Sequence, residues 1–396
     1  MKILSSLLFY IIYFYVNISP SFAENSDNRK CGMVSNIYYS MNLPANCVYS
    51  KTIKIKRSGI ILNCNGSLID ARNLNIGISI EGDNIQDIVI KNCVIKSSKG
   101  HGILIRSETS PVVLDKQPLP MRYAIAPRNI SIINTRVESS SVVGIFVGFY
   151  VRDVKLTGNT ISNSGGVGLY LEASSSNNLI SNNFFWANGF GDVFRNGKRS
   201  NREAIAVDSS AHNIISRNVF IGNSAGGIFL YKNCWENSDN PKTVKRWQHS
   251  NYNLIEGNFF YEKKTAVWIA SRQLKNLSNM RCGDPEIAPG YYRDYASFNT
   301  IRSNLFWGGK VGVNIQDDFN ILLENYFINY RKYCIYLRNK STAEFINPVI
   351  GTVMRKNFCI NFYNSLPYSR RSIILICDEN KPNNRHKSCK NINKNF

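Results

Sequence analysis

An asparagine frame that recurs along most of the chain constrains its fold more than any other feature. In the frame an Asn or Asp is followed by an apolar residue two positions later and by a second Asn five positions later. Its copies span Asp87–Asn92, Asn129–Asn134, Asn178–Asn183, Asn213–Asn218, Asn253–Asn258, Asn299–Asn304 and Asn320–Asn325, with a looser copy at Asn159. Self-similarity of this kind indicates a fold built from stacked repeats.

Each frame is followed by a second short segment with alternating apolar positions, such as Gly227-Ile-Phe-Leu. Alternation with period two, rich in β-branched and aromatic residues, predicts strands. The Gly or Asn before each strand predicts a turn. Strand-turn-strand units recur here at about 21–25 residues without helices between them, which predicts a parallel β-helix. We expect the equivalent Asn side chains to stack into ladders.

Two other repeat folds fit the pattern less well. Propeller blades need about 40–50 residues, whereas the Asn residues at 134, 159 and 183 lie much closer together. The leucine-rich repeat lacks its signature here. Extra residues between strands must form loops, and the four longest, about 106–128, 188–202, 235–250 and 270–297, are expected to wall a groove.

The chain of 396 residues begins with a predicted secretory signal over residues 1–23, with Lys2, an apolar run and the small residues of Ser21-Phe-Ala23. The run is short for a membrane span, and no later stretch is long enough for one. The predicted domains are an N-terminal cap at 24–54, the β-helix at 55–340, and a last coil with a C-terminal cap or tail at 341–396. We therefore expect an exported protein, periplasmic or secreted.

The net charge is +21, and because only Lys2 is charged in the predicted signal, the remainder carries +21 − 1 = +20. Such a surface favours a polyanionic partner. The sequence has no zinc-finger spacing, basic helix or aromatic nucleic-acid motif, so we expect an acidic polysaccharide and no nucleic acid. An anionic membrane surface and a merely solubilising charge are the alternatives. The oligomeric state is not predicted.

Ten cysteines remain after the predicted signal, and an even number in an exported chain favours disulfides. Spacing suggests Cys31–Cys47, Cys64–Cys93, Cys234–Cys282, Cys334–Cys359 and Cys377–Cys389, although spacing cannot fix connectivity. No cysteine or histidine cluster has the spacing of a zinc site.

The Asn-x-Ile-x-x-Asn-x-Phe coil and the Gly-Ile-x-Leu strands resemble the right-handed parallel β-helix superfamily, as does the segment Gly59–Asp70. This resemblance, over roughly 55–340, implies an all-β, single-stranded right-handed solenoid whose loop insertions form a groove. Pectate lyases, polygalacturonases, alginate epimerases, NosD-like proteins and phage tailspikes share the fold. The Asp-Pro-His-Asp motif of the epimerases is absent, and Gly100-His-Gly102 lacks the paired Asp of the polygalacturonases. No catalytic residue is therefore carried over.

The alternation predicts which side chains point outward from the Gly-Ile-x-Leu strands. One predicted outward column carries the rings of Phe146, Tyr170, Phe229 and Trp268. An exposed row of rings is typical of a binding site, here for the apolar faces of sugars. The alternative is a long loop that covers the rings and makes a second small core; both hold if that loop walls the groove.

A second predicted column places Glu172 and Asp208 on neighbouring coils. Two close carboxylates repel, so one is expected to keep its proton near neutral pH, as an acid/base pair for glycoside hydrolysis requires. The alternative is a structural ladder bridged by Arg202 or Lys232, or by a bound cation such as Ca²⁺. We predict no other cofactor and no dedicated metal site.

Cations are predicted to converge on the same coils, which indicates lyase or epimerase chemistry on a uronic acid. That chemistry needs a neutralised substrate carboxylate, for which arginines suit, and a base for the adjacent proton. We assign Arg202 and Arg272 to the carboxylate, Lys232 with a lowered pKa to the base, and Tyr231 or His249 to proton donation. Charged groups expected at the groove for substrate binding are Glu203, Glu236 and Arg246. His212 is assigned to a turn rather than to catalysis.

The sequence therefore favours an exported lyase or C5-epimerase of an acidic glycan. Two alternatives stay open: a glycoside hydrolase that uses Glu172 and Asp208, and a non-catalytic glycan-binding or envelope protein. A NosD-like metal role ranks lowest, because the chain has four His and no His/Met cluster.

Overall fold

The computed structural model describes residues 29–191, 201–273, 275–280, 282, 286–339, 348–360, 374–377 and 389–391. Within them three long sheets run side by side, with 12, 13 and 11 strands. Each strand pairs in parallel with the equivalent strand of the next coil, so the chain winds as a right-handed parallel β-helix. The predicted all-β solenoid is confirmed.

Sheet 1 consists mostly of three-residue strands whose middle residue points inward. Its strands are β1 (Arg29–Lys30), β4 (Cys47–Tyr49), β7 (Leu68–Asp70), β10 (Val94–Lys96), β13 (Arg136–Glu138), β16 (Thr160–Ser162), β19 (Phe184–Trp186), β22 (Val219–Ile221), β25 (Phe259–Tyr261), β30 (Leu305–Trp307), β33 (Tyr326–Ile328) and β36 (Phe358–Ile360).

Sheet 2 contains the predicted Gly-Ile-x-Leu strands. Its strands are β2 (Asn36–Ile37), β5 (Ile53–Ile55), β8 (Ile76–Glu81), β11 (His101–Arg106), β14 (Val143–Val147), β17 (Leu169–Leu171), β20 (Glu203–Asp208), β23 (Gly226–Tyr231), β26 (Thr265–Ile269), β31 (Val311–Ile315), β34 (Tyr333–Arg338), β37 (Ile374–Cys377) and the antiparallel β38 (Cys389–Asn391).

Sheet 3 contains the Asn-x-Ile segments. Its strands are β3 (Met41–Asn42), β6 (Ile61–Asn63), β9 (Gln86–Lys91), β12 (Arg128–Ile133), β15 (Arg152–Thr157), β18 (Leu179–Ser181), β21 (Ile214–Ser216), β24 (Leu254–Glu256), β29 (Thr300–Arg302), β32 (Ile321–Leu323) and β35 (Val353–Arg355). The stacked strands thus begin within the segment predicted as an N-terminal cap, and β35 to β37 add a coil beyond residue 340.

The loops carry the remaining elements. Two short helices, α1 (Pro111–Asp115) and α2 (Leu119–Ile125), lie in the first long loop. The loop over 270–297 contains a 3₁₀ turn at Ser278–Met280 and a hairpin of β27 (Glu286–Ala288) and β28 (Tyr291–Tyr292). Among the described residues no helix is long and apolar enough to cross a membrane.

The predicted asparagine ladders are present. In the turn between sheets 3 and 1, the buried side chain of Asn183 donates to that of Asn218 at 3.0 Å, and Asn218 donates to Asn258 at 3.0 Å. Each acceptor oxygen also accepts a hydrogen bond from the backbone N–H of the ladder residue on the preceding coil, as from Asn183 N to Asn218 Oδ1 at 2.9 Å. The hydrogen bonds between these buried amides satisfy their donors and acceptors. Because a shift in register would break them, they hold the turns of successive coils in line.

In the earliest copies of the frame, the Asn lies one position before the place in the turn that forms the ladder in later coils. Asn129 has φ +51° and its side chain contacts Asp87 on the exposed side of the turn. The ladder between sheets 3 and 1 begins at Asn159, which accepts from Thr135 N at 2.9 Å, with the disulfide Cys64–Cys93 on earlier coils. Sequence matching alone could not detect this offset, because both positions accept Asn.

The core between the sheets is aliphatic except for one aromatic column from sheet 1. Phe185, Phe220, Phe260, Phe306 and Phe327 stack with centroids 4.6–5.1 Å apart and are nearly inaccessible to solvent. This column accounts for the aromatic residue two positions after the second Asn of the frame.

Four predicted disulfides are confirmed: Cys31–Cys47, Cys64–Cys93, Cys234–Cys282 and Cys334–Cys359. The side chains of Cys377 and Cys389 lie outside the described residues, although their backbones face each other across β37 and β38. The predicted signal over residues 1–23 also lies outside the described part of the chain.

Candidate active site

Sheet 2 brings the predicted columns into register. Phe146 pairs with Tyr170, Tyr170 with Ala206, Ala206 with Phe229, and Phe229 with Trp268. The expectation that all these rings face open solvent is wrong, because Phe229 is only 7% exposed. It packs in a small cluster with Ala206 and two other buried side chains, whereas Phe146, Tyr170 and Trp268 remain partly accessible.

At one end of the cluster, Trp268 connects the buried rings to a polar side chain on the same face. Trp268 Nε1 donates to Gln316 Oε1 at 2.8 Å, and the Trp268 ring meets Phe229 edge to face at 5.4 Å. At the other end Phe146 stacks on Tyr170 at 5.6 Å. The face therefore combines partly exposed rings with polar groups, as sugar-binding surfaces do.

The two predicted carboxylates, Glu172 and Asp208, are linked by Arg246, whereas the sequence analysis had named Arg202 or Lys232 as the bridging cation. Arg246, from the loop over 235–250, contacts Glu172 Oε1 through its terminal nitrogen at 3.2 Å, and its Nε lies 3.3 Å from Asp208 Oδ2. Arg202 pairs instead with Glu203, at 3.2 Å. A long-loop residue could reach it because the loop folds back over sheet 2.

Asp208 is fully buried and has several hydrogen-bond donors. Tyr170 donates its hydroxyl at 2.6 Å, the backbone of Asn233 donates at 2.9 Å, and Ser209 donates at 3.1 Å. Donors of this kind stabilise an ionised carboxylate. In the same neighbourhood the Asn233 side chain donates to Glu236 at 3.2 Å.

Glu172 is a buried carboxyl group with a shifted pKa. Burial raises the pKa of Glu172 to about 7; Arg246 opposes the shift, while the negative charges of Asp208 and Glu236 add to it. Glu172 is thus a carboxyl group that holds a proton close to neutral pH. The expectation that one member of the pair keeps its proton agrees with this pKa, although burial is the principal cause.

A second part of the network surrounds Tyr231. The Tyr231 hydroxyl donates to Glu203 Oε1 at 2.9 Å and accepts from Arg202 at 2.9 Å. Arg272 lies over the Tyr231 ring, with its guanidinium carbon 4.5 Å from the centroid. Burial favours a raised pKa for Glu203, but Arg202 and Arg272 outweigh it and the pKa is lowered.

Arg202 and Arg272 are both partly accessible, and both contact Tyr231, the first at its hydroxyl and the second over its ring. Burial and the neighbouring carboxylate raise the pKa of Tyr231 well above its ordinary value, so its phenol stays protonated. The arrangement offers positive charge at the surface of the groove and proton-exchanging groups below it.

Lys232 occupies a different environment from the one we predicted for an accessible base. It is only 2% exposed, and its backbone N–H donates to Asp294 Oδ1 at 2.7 Å. The role of Lys232 stays a prediction. His249 stacks on Tyr295 at 4.3 Å, and His212 is exposed and stacks on Tyr252 at 5.1 Å.

Sequence analysis missed Asp294. Its two carboxylate oxygens accept from the backbone N–H groups of Lys232 and Arg272, the second at 2.6 Å, and burial raises its pKa to about 7. Asp294 lies in the non-repeating loop over 270–297, which the disulfide Cys234–Cys282 ties to the segment after β23. Because Asp294 lies outside the repeating coils, the repeat pattern could not identify it.

The described residues contain no group of three or more His, Cys, Asp or Glu that could hold a metal ion. Between Glu172 and Asp208 the positive charge comes from Arg246. This arrangement does not fit the bound Ca²⁺ that we considered for the pair.

Comparison with known proteins agrees with the fold. Residues 58–246 match the family model described as the right handed beta helix region. The three stacked sheets agree with this match and show that the fold is a right-handed parallel β-helix. No curated protein sequence matches the chain significantly.

Three solved structures illustrate the similarity. The periplasmic alginate epimerase AlgG is 13% identical, with a TM-score of 0.54 over 84% of this chain and 74% of that chain. The Azotobacter vinelandii mannuronan C-5 epimerase AlgE4 A-module is 13% identical, with a TM-score of 0.47 over 84% and 79%. The alginate lyase from Paenibacillus sp. str. FPU-7 is 11% identical, with a TM-score of 0.42 over 80% and 92%. At these identities the likeness concerns the fold alone.

Proposed function

We propose that the chain is an exported enzyme that acts on an acidic polysaccharide as a lyase or C5-epimerase. The observation that carries the proposal is that two partly accessible arginines meet at Tyr231: Arg202 donates to its hydroxyl at 2.9 Å, and Arg272 lies over its ring at 4.5 Å. Net charge +21 supports an anionic substrate, and the fold it shares with an alginate epimerase is compatible with this chemistry.

The proposed chemistry begins with the carboxylate of a uronic acid between Arg202 and Arg272. Their positive charge lowers the cost of forming a carbanion beside that carboxylate. We assign the first proton acceptor to Tyr231 acting with Glu203: as the phenol oxygen takes the sugar proton, the phenol proton passes to Glu203. Lys232 is the alternative base, and the variants Tyr231→Phe and Lys232→Ala described below distinguish the two.

The second step needs an acid, and Glu172 is the group that carries a proton near neutral pH. Donation to the departing glycosidic oxygen would complete an elimination and leave an unsaturated sugar. Donation to the opposite face of the carbanion would complete an epimerisation. His249, which we also considered as a donor, is tested alongside Glu172.

A glycoside hydrolase is the second candidate. The observation that favours it is the contrast between Glu172, whose pKa is raised to about 7, and Asp208, which accepts three hydrogen bonds. Two carboxyl groups on neighbouring coils, one of which can act as an acid, are the groups that glycoside hydrolysis uses.

The test is incubation of the exported protein with a panel of acidic polysaccharides. Ultraviolet absorbance reports unsaturated ends, a reducing-end assay reports hydrolysis, and solvent deuterium incorporation reports epimerisation. Absorbance with new reducing ends identifies a lyase, and reducing ends without absorbance identify the hydrolase. Binding with none of the three signals would leave a non-catalytic glycan-binding protein and overturn the enzymatic proposal.

Variants locate the active groups once a substrate is found. Arg272→Lys is expected to lower kcat/KM by about 100-fold, because a lysine cannot bind a carboxylate in two places. Arg302→Lys, on the outer face of sheet 3, is the matched control and should leave activity unchanged. Tyr231→Phe and Lys232→Ala separate the two bases: the true base is the one whose loss abolishes the reaction in a folded protein.

A further inference from the structure

The outer face of sheet 1 changes character along the β-helix. On the middle coils its outward residues are polar, with Arg136 and Glu138 on β13 and Thr160 and Ser162 on β16. From β19 to β36 every outward position is apolar or aromatic. The twelve outward residues are Phe184, Trp186, Val219, Ile221, Phe259, Tyr261, Leu305, Trp307, Tyr326, Ile328, Phe358 and Ile360.

This apolar face is accessible in the described structure. Trp186 is 47% exposed, Tyr261 54%, Tyr326 45% and Phe358 42%. Six strands at about 4.8 Å spacing make a face about 24 Å long. Soluble proteins rarely expose a continuous apolar patch of that extent without a function for it.

A row of positive charges runs along one border of the apolar face. The turns that lead from sheet 1 to sheet 2 expose Lys263 and Lys264, then Lys310, then Arg331 and Lys332 on consecutive coils. On the opposite border the charges are mixed, because Arg302 pairs with Glu256 at 2.7 Å and Lys356 with Glu324 at 3.4 Å. The face therefore combines aromatic residues with a one-sided cationic border.

Three kinds of partner can be compared on these features. Sugars pack on the exposed faces of aromatic rings, and the stacked pair Tyr326 and Phe358, at 5.1 Å, leaves less ring face for a sugar. A second copy of the chain, with net charge +21, would not complement the cationic border. An anionic lipid surface accepts Trp and Tyr at its interface and attracts lysines and arginines through its headgroups.

We infer that the outer face of sheet 1 from β19 to β36 docks the protein onto an anionic lipid surface. The aromatic and aliphatic side chains enter the interface, and Lys263, Lys264, Lys310, Arg331 and Lys332 contact the headgroups. Docking this way leaves sheet 2, with the candidate active site, on a different side of the coil. The inference does not depend on the proposed function.

The experiment measures binding of the exported full-length protein to vesicles by flotation. One set of vesicles is phosphatidylcholine alone and the other is phosphatidylcholine mixed with phosphatidylglycerol. We expect binding to the mixed vesicles that weakens as salt is added, and little binding to the neutral ones.

Two double variants test the two halves of the face. Tyr261→Ser with Tyr326→Ser removes exposed rings, and its control is Tyr252→Ser with Phe298→Ser, which removes a stacked pair of similar exposure elsewhere. Lys263→Ser with Lys332→Ser removes two charges from the border, and its control is Lys51→Ser with Lys54→Ser. Thermal unfolding verifies that all four proteins fold.

Each sheet 1 variant is expected to weaken binding to the mixed vesicles by about tenfold or more, and each control by less than about twofold. Equal loss in a control, equal binding to neutral vesicles, or undiminished binding of the sheet 1 variants overturns the inference. A concentration-dependent dimer that Tyr261→Ser with Tyr326→Ser abolishes would also overturn it, because the face would then be an interface between two copies.

Discussion

Two regions of this β-helix bury polar side chains, and they do so in opposite ways. In the middle of the turn ladders each Asn meets an identical Asn above and below, so one neutral residue type satisfies successive coils, as at Asn183, Asn218 and Asn258. Against sheet 2 the buried groups are charged and differ from coil to coil, as at Glu172, Asp208 and Arg246. Repetition marks what the fold needs, whereas the unrepeated charges are not needed to repeat the coil.

The largest expected effect breaks a ladder. Asn218→Leu leaves Asn183 N, Asn183 Nδ2 and Ile180 O without their partners. Amides cannot change protonation to relieve this, so we expect a loss of about 4 kcal/mol in the free energy of unfolding, measured by urea denaturation. Asn36→Ala, at an exposed position, is the control; a loss of similar size there would contradict the ladder's importance.

The second effect breaks the charged network. Arg246→Leu removes the cation between Glu172 and Asp208, and breaking a buried pair costs about 3 kcal/mol. Uptake of a proton by Glu172 should limit the loss, so the variant should be more destabilised at high pH than at low pH. Arg302→Leu removes a surface pair with Glu256 and should cost less than about 1 kcal/mol. If Arg246→Leu lowered the free energy of unfolding by the same amount at every pH, this explanation would be contradicted.

The third effect concerns pH and involves both regions. Burial raises the pKa of Glu172 and Asp294 to about 7, and that of Glu262, which replaces Asn in a ladder, to about 8. Carboxyl groups of an unfolded chain ionise near pH 4, so between about pH 4 and pH 8 the native state binds more protons. Stability should therefore fall as the pH rises through this window. Urea denaturation at pH 5 and pH 8 measures the difference, and stability that rises with pH would refute it.

The smallest effect separates Glu172 from the other groups. Glu172→Gln keeps the shape but has no proton to lose, so at about pH 8 the variant should gain stability over the wild type, which has to ionise a buried carboxyl group. At about pH 5 the gain should be much smaller, because the folded wild type keeps its proton there. Glu256→Gln, on the surface of sheet 3, is the control and should show no such pH dependence. A gain of equal size at both pH values would mean that Glu172 does not carry the proton.

Much of the fold could be predicted because a β-helix is a local repeat. The alternation at Gly227-Ile-Phe-Leu identified a strand and its outward column, and the register from Tyr170 to Trp268 agrees with that column. The frame at Asn213–Asn218 identified two ladder positions at once. Each inference used residues within one coil and the rule that the next coil repeats it.

The candidate site could be predicted only in part, for the same reason. Asp208 and Tyr231 lie on strands and Glu172 directly follows one, so their column position follows from the repeat. Arg246 and Asp294 come from long loops that the repeat does not describe, and they join the network through contacts 74 and 62 residues apart in sequence. The covering of Phe229 likewise depends on tertiary packing rather than on strand alternation.

The sequence by itself therefore determined the solenoid, its inward and outward columns and the ladders, because these depend on short-range periodicity that recurs coil after coil. Only the tertiary structure decided which cation bridges Glu172 and Asp208, that Lys232 is buried, and that the apolar columns of sheet 1 meet a cationic border. Those outcomes depend on where non-repeating loops fold and on how six coils align, and electrostatic interactions between groups distant in sequence leave no local pattern to recognise.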